Sequence, residues 1–183
     1  MPNAPAYARM LMQLFPRGGL FNREVGSGLS KLTLAMGEEL ARVEARSLAL
    51  VEEADPRTAT ETLELWERML GLPDEAVPVI PATVELRRLA IVSKFVGGAG
   101  GQSRAFFIGL AKTCGYDCSI YEFGKDVLRA GFQAEAPAYE LPWAHAWRLD
   151  VQPPTGPALS QDNLERIIRR ATPAHTAVIF NYL

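Results

Sequence analysis

The sequence predicts an α+β protein: a helical amino-terminal half with a long heptad-bearing helix, then a small mixed sheet of about three strands packed with helices. Three observations carry this. A proline-free stretch from Leu29 to Ala54 repeats large apolar residues every seven positions. Alternation with period two, the strand signature, begins only after Gly115. Between the two patterns lies VPVIP, whose prolines disfavour helix and mark a link at residues 77–82 between regions 1–76 and 83–183.

Composition permits such a fold without staples. A chain of 183 residues buries roughly 70% of its unfolded surface when it folds. Hydrophobic residues make up 48% and charged ones 22%, the balance of an ordinary folded domain. A net charge of −2 gives no electrostatic reason to expect nucleic acid or an anionic membrane as partner. No apolar run approaches the roughly 20 residues that cross a bilayer, and no leader pattern opens the chain. The expectation is a product made in the cytosol.

Taken in order, Ala4 to Phe15 is a short apolar helix stopped by PRGG. The long helix comes next, about 39 Å from Leu29 to Ala54 at 1.5 Å per residue. Its strong row is Leu29, Met36, Val43 and Leu50; the neighbouring row, Thr33, Leu40, Ser47 and Ala54, is mostly small or polar. Glu38 and Arg42 are spaced for an ion pair. Gly37 weakens an isolated helix by about 1 kcal/mol relative to alanine, and a closely approaching backbone would give it a use. That backbone can belong to this chain or to another, and periodicity alone does not choose.

The next element is well punctuated. In ADPRTATETLELWERMLGLPD, Asp55 is placed to cap a helix, Pro56 suits its first turn, and Gly71 with Pro73 ends it. Ala59, Leu63, Trp66 and Leu70 form its apolar stripe, leaving Glu61, Glu64, Glu67 and Arg68 as a solvated face. After the link, Thr83 caps a helix running to Phe95, and Ser103 caps another from Arg104 to Cys114, which Gly115 closes. YDCSIYEF and AWRLDVQ alternate as strands, DNLERIIRR is a short helix and HTAVIFNY a last strand. A loop rich in glycine, alanine and proline separates the first two strands. The resulting order is helix, helix, strand, strand, helix, strand, with the helices on one face of the sheet.

No chemical site emerges from the motifs. GGAGGQSR, Gly97 to Arg104, opens a helix, where unpaired amides favour anions. A phosphate loop, however, needs a preceding strand and a lysine, and here a helix precedes and Gln102 stands in the lysine's place. Gly98, Gly100 and Ser103 likewise miss the dinucleotide fingerprint. A helix-to-helix corner explains the glycines. CGYDC offers two thiols, Cys114 and Cys118, without the further ligands a zinc site requires, so free thiols are expected. GSG at Gly26 to Gly28 is no nucleophile elbow. WAHAW places Trp143, His145 and Trp147 on one face if extended, which reads as a sheet face in the core, with His145 hydrogen-bonded there. No cofactor, metal ligand or catalytic residue is assigned.

Several of these stretches together resemble a known family. ADPRTATETLELWERMLGLPD, GGQSRAFFIGLAKTCGYDCSIYEF, RAGF and PAHTAVIF, in that order, resemble the YmfQ-like tail proteins of Mu-like phages and prophages, relatives of the gene I tail proteins of other contractile-tailed phages. The resemblance runs from about Ala4 to the end and leaves the stretches from Phe21 to Leu34 and from Lys125 to Trp143 without a matching motif. It implies a structural baseplate wedge component. Such a component joins a pair of larger wedge subunits through helices and links the wedge to the tail fibre. It resides in the virion's tail baseplate after assembly in the host cytoplasm, with no nucleic acid, membrane or cofactor involved. Leu29, Met36, Leu40, Val43 and Leu50 are then the expected partner-binding residues. The competing expectation is a small enzyme or anion-binding protein that uses Ser103 and the GGAGG amides.

Overall fold

The computed structural model describes residues 3–125 and 141–183; RAGF, at Arg129 to Phe132, lies outside them. Among the described residues are six α-helices and a three-stranded sheet, the α+β class that the periodicities predict. The chain divides into two compact units, Met1–Asp55 and Pro56–Leu183.

The first unit is a pair of helices, α1 (Ala4–Leu14) and α2 (Gly28–Glu53). Asn3 caps α1, its Oδ1 accepting from the Ala6 amide at 3.2 Å. Phe15 ends it in an extended conformation, which the adjoining Pro16 favours. In the connection, Arg23 donates to the Phe15 carbonyl at 2.6 Å and the rings of Phe15 and Phe21 lie 5.7 Å apart. Ser27 then caps α2 through the Ser30 amide. The two helices meet at Gly37, where a Cβ would stand 2.6 Å from the Ala4 carbonyl oxygen and 2.9 Å from the Ala8 nitrogen. The close backbone that justifies this glycine is the chain's own α1. The anticipated Glu38–Arg42 pair does not form as such: Arg42 holds Glu39 instead, at 2.6 Å and exposed, a contact worth about 0.5 kcal/mol or less.

The second unit begins earlier than the position of VPVIP suggests. Residues 56–76 belong with the later helices and the sheet, and 77–82 lies inside the unit. Burial explains the shift, because Ala59, Leu63, Leu72, Ala76 and Val77 share one apolar cluster with those elements. The loop before VPVIP is also tied down. Asp74 Oδ1 accepts from the amides of Ala76 and Val77 at 3.0 and 2.8 Å, while its other oxygen takes Lys94 and Arg170.

Helix α3 (Leu63–Leu70) is shorter than its punctuation suggested. Asp55 does not cap it. The guanidinium of Arg88 binds the Thr58 and Ala59 carbonyls and the Thr60 hydroxyl at 2.6 to 2.9 Å, so these groups serve a cross-chain contact and the segment stays non-helical. Gly71 ends α3 at φ +68°, as expected of a left-handed cap. Glu67 departs from the solvated face assigned to it. It is buried and receives both nitrogens of the Arg87 fork at 2.6 and 2.7 Å.

Thr83 caps α4 (Val84–Ala99), which continues beyond Phe95 through Gly97 and Gly98. The corner proper is Gly100, at φ +74°, and Gly101, where a Cβ would strike the Phe106 ring. Ser103 Oγ accepts from the Phe106 amide at 3.1 Å to start α5 (Arg104–Thr113). Strand β1 (Cys118–Glu122) pairs antiparallel with β2 (Ala146–Val151), opposing Ile120 to Leu149. Helix α6 (Gln161–Ala171), capped by Ser160, then carries the chain over to β3 (Ala177–Tyr182), which lies parallel to β2 with Leu149 beside Phe180.

Trp147, Leu149 and Val151 point from β2 into the core against Phe107, Leu110, Leu164, Ile167 and Ile168. The Phe107 and Trp147 rings are 4.9 Å apart, and the buried Tyr116 hydroxyl donates to the Leu159 carbonyl at 2.6 Å. The other face of the sheet carries Arg148, whose guanidinium lies over the Tyr121 ring, and Asp150, which accepts from Asn181 at 2.6 Å. WAHAW is not one extended face. Residues 141–145 form a 3-10 turn, so Trp147 alone of its aromatic residues enters the core; Trp143 packs on Phe123 and His145 is exposed beside His175.

Candidate functional site

Helix α2 holds every residue that the sequence assigned to partner binding. Its two buried positions, Thr33 and Gly37, belong to a small-residue face, because only small groups let the α1 backbone approach so closely. The Thr33 hydroxyl is satisfied within the helix by the Leu29 and Ser30 carbonyls. The large apolar row runs beside this face. Leu29 is half-buried, whereas Met36, Leu40, Val43 and Leu50 are 46, 41, 57 and 55% exposed. Leu32, Leu34, Leu48 and Val51 are exposed as well, which a reading restricted to one heptad row passed over. Both fully buried positions fall in the first half of α2, and in the second half only Ala41, Glu44, Ala49 and Glu53 are partly covered. A 26-residue helix of about 39 Å thus presents a long apolar surface with charged flanks.

The glycine corner belongs to the second unit and borders a cavity of about 280 Å³. Gln102, Arg104, Glu122, His145, Trp147 and Thr176 are among its lining residues. Its charged groups engage each other: Arg104 pairs with Glu122, which raises the pKa of the arginine. The Ser103 hydroxyl is occupied as a helix cap. Burial pushes the Cys114 thiol up to about 12 and the Cys118 thiol up to about 11, so both are protonated and poorly nucleophilic at neutral pH. Both are free cysteines, and no grouping of three metal-ligating side chains occurs among the described residues.

Two charged clusters escaped detection in the sequence. The first centres on Asp74. Burial opposes its ionisation, but hydrogen bonds from Lys94, the Val77 amide and Arg170 prevail and hold its pKa at about 2. The second is the outer face of α6, where Arg166, Arg169 and Arg170 stand at positions i, i+3 and i+4 and line one depression with Glu75. The spacing of these arginines is visible in RIIRR; their surroundings are not.

The fold and these surfaces define an α+β protein with exposed apolar area on one long helix and an arginine-bearing face on another. Residues 9–183 match the family described as bacteriophage Mu-like, Gp48. The chain belongs to that family, and it is a phage structural or morphogenesis protein. No curated protein matches it. Among the described residues no helix is long and apolar enough to cross a membrane.

Proposed function

We propose that this chain is a non-catalytic adaptor of the tail baseplate, seated in the wedge of a contractile phage tail or related injection machine. In this reading α2 packs against helices of larger wedge subunits, two partner copies per copy of this chain, and the protein links the wedge to the tail fibre. One observation carries the proposal: Met36, Leu40, Val43 and Leu50 remain exposed although the adjoining face of the same helix is covered by α1. Each large apolar side chain contributes roughly 1.5 to 3 kcal/mol when fully buried. Four of them supply a substantial association term after ordering costs. The mutual engagement of Arg104 with Glu122 and the use of Ser103 as a cap support the absence of catalysis at the glycine corner.

The double variant Met36→Glu and Val43→Glu tests this. Both side chains face solvent in the lone chain, so the variant should keep the wild-type circular dichroism spectrum and lose co-purification with tail subunits. Infectious tails assembled at normal yield from the folded variant would refute the seam.

A further inference from the structure

The second unit exposes a strand edge and a cluster of arginines that have no part in the α2 reading. Strand β3 is an edge of the sheet, since the order is β1-β2-β3, and its outer backbone groups have no strand partner among the described residues. Edge strands are commonly protected by lysine, proline or a bulge. The β3 sequence AVIFNY contains no charged residue and no proline, and Ile179 is exposed.

Arg169 of the basic α6 face lies beside this strand, with Arg166 and Arg170 next to it on the helix. Two depressions, of about 420 and 380 Å³, adjoin at Arg169. One is lined by Arg166, Arg169 and Arg170 with Glu75 and Ala76; the other continues past Thr172 and Thr176 to Ala177 and Val178 at the start of β3. Carboxylates within the chain leave part of this charge available. Asp74 is shared between Arg170 and Lys94, Glu165 reaches Arg169 at 3.3 Å with both side chains substantially exposed, and Arg166 donates to the Glu75 carbonyl rather than to a carboxylate. Arg169 lies with its guanidinium over the Phe180 ring of β3, 5.1 Å from the centroid.

We infer that the β3 edge and the α6 arginine face form one groove that takes an extended acidic segment of a partner protein. The segment adds a strand to β3 through main-chain hydrogen bonds and places its carboxylates against Arg166 and Arg169. Strand addition supplies affinity from backbone pairing, and the guanidiniums select the sign of the side chains.

The test uses the full chain and fluorescein-labelled peptides of alternating valine and glutamate, read by anisotropy. Controls are the valine–glutamine peptide, the glutamate peptide N-methylated at alternate residues, and a single-stranded oligonucleotide of similar charge. The glutamate peptide should bind at least tenfold more tightly than all three. Its affinity should fall at least tenfold with Arg166→Glu and Arg169→Glu together and about half as far, on a logarithmic scale, with the corresponding glutamine variants. Arg170 is left intact because it holds Asp74. Equal binding of the N-methylated peptide would overturn strand addition. An oligonucleotide bound as tightly as the peptide would reduce the groove to a general anion site, and no binding by a folded wild-type chain would overturn the inference entirely.

Discussion

Helices α2 and α6 are both amphipathic, yet they bury opposite kinds of residue. In α6 the buried positions are Leu164, Ile167 and Ile168, packed on the sheet, while charged groups face outward. In α2 they are Thr33 and Gly37, and the large aliphatic side chains face outward. Apolar periodicity reveals which face of a helix requires cover; it does not reveal which molecule supplies the cover. In the second unit the chain provides it, through one cluster that reaches from Ala59 to Val178. In the first unit the close helix contact is made by backbone and small groups, which leaves Met36, Val43 and Leu50 of the stronger apolar row exposed among the described residues.

This contrast has measurable consequences. Leu164→Ala removes a fully buried side chain and should lower unfolding free energy by about 3 kcal/mol, whereas Val43→Ala should change that of the isolated protein by no more than about 0.5 kcal/mol. Denaturant titration monitored by tryptophan fluorescence and circular dichroism reads both. Comparable losses would show that the α2 row is already covered in the lone chain.

A smaller effect comes from pH. The Asp74 carboxyl is held at about 2, below its ordinary 3.8, so it contributes stability above pH 3.8 that is lost as pH falls toward 2. Asp74→Asn should be less stable than wild type at neutral pH, and the gap should close across that window. A gap that stays constant down to pH 2 would mean that Lys94 and Arg170 do not favour the ionised form.

The smallest effect separates glycines that look alike in sequence. Gly100→Ala forces a side chain into positive φ and should cost about 1 kcal/mol, while Gly98→Ala, within α4 and with open space around it, should stabilise by up to about 1 kcal/mol. Thermal melts of the two single variants should move in opposite directions.

Much of this architecture was legible because local signals and tertiary demands agreed. Ser103 and Thr83 cap the helices they precede, Gly71 and Gly115 take positive φ, and β2 alternates between core and open face. Legibility ended where distant groups intervened. The segment 55–62 carried good helix punctuation, but Arg88 claims its carbonyls from nearly thirty residues away. Glu67 appeared to belong on a wet face because its partner, Arg87, sits on another helix. The boundary near VPVIP failed as a divider because Val77 is a core residue and Asp74 locks the preceding loop. For the candidate seam, the heptad picked out a row that is mostly exposed in the folded chain, yet it assigned Gly37 no definite neighbour. Arg166, Arg169 and Arg170 went unread because periodicity does not show that they line one depression with Glu75.

Eight large aliphatic side chains standing in water along one helix also set terms for handling the protein before it is incorporated into anything. Six of them, Leu32, Met36, Leu40, Val43, Leu50 and Val51, fall within about a third of the helix circumference and form one exposed strip. Identical strips on neighbouring copies attract one another by the same hydrophobic term that would favour a proper partner. If α2 is the seam proposed above, copies made in excess should coalesce, and the soluble yield of this chain should rise when its partner is made with it.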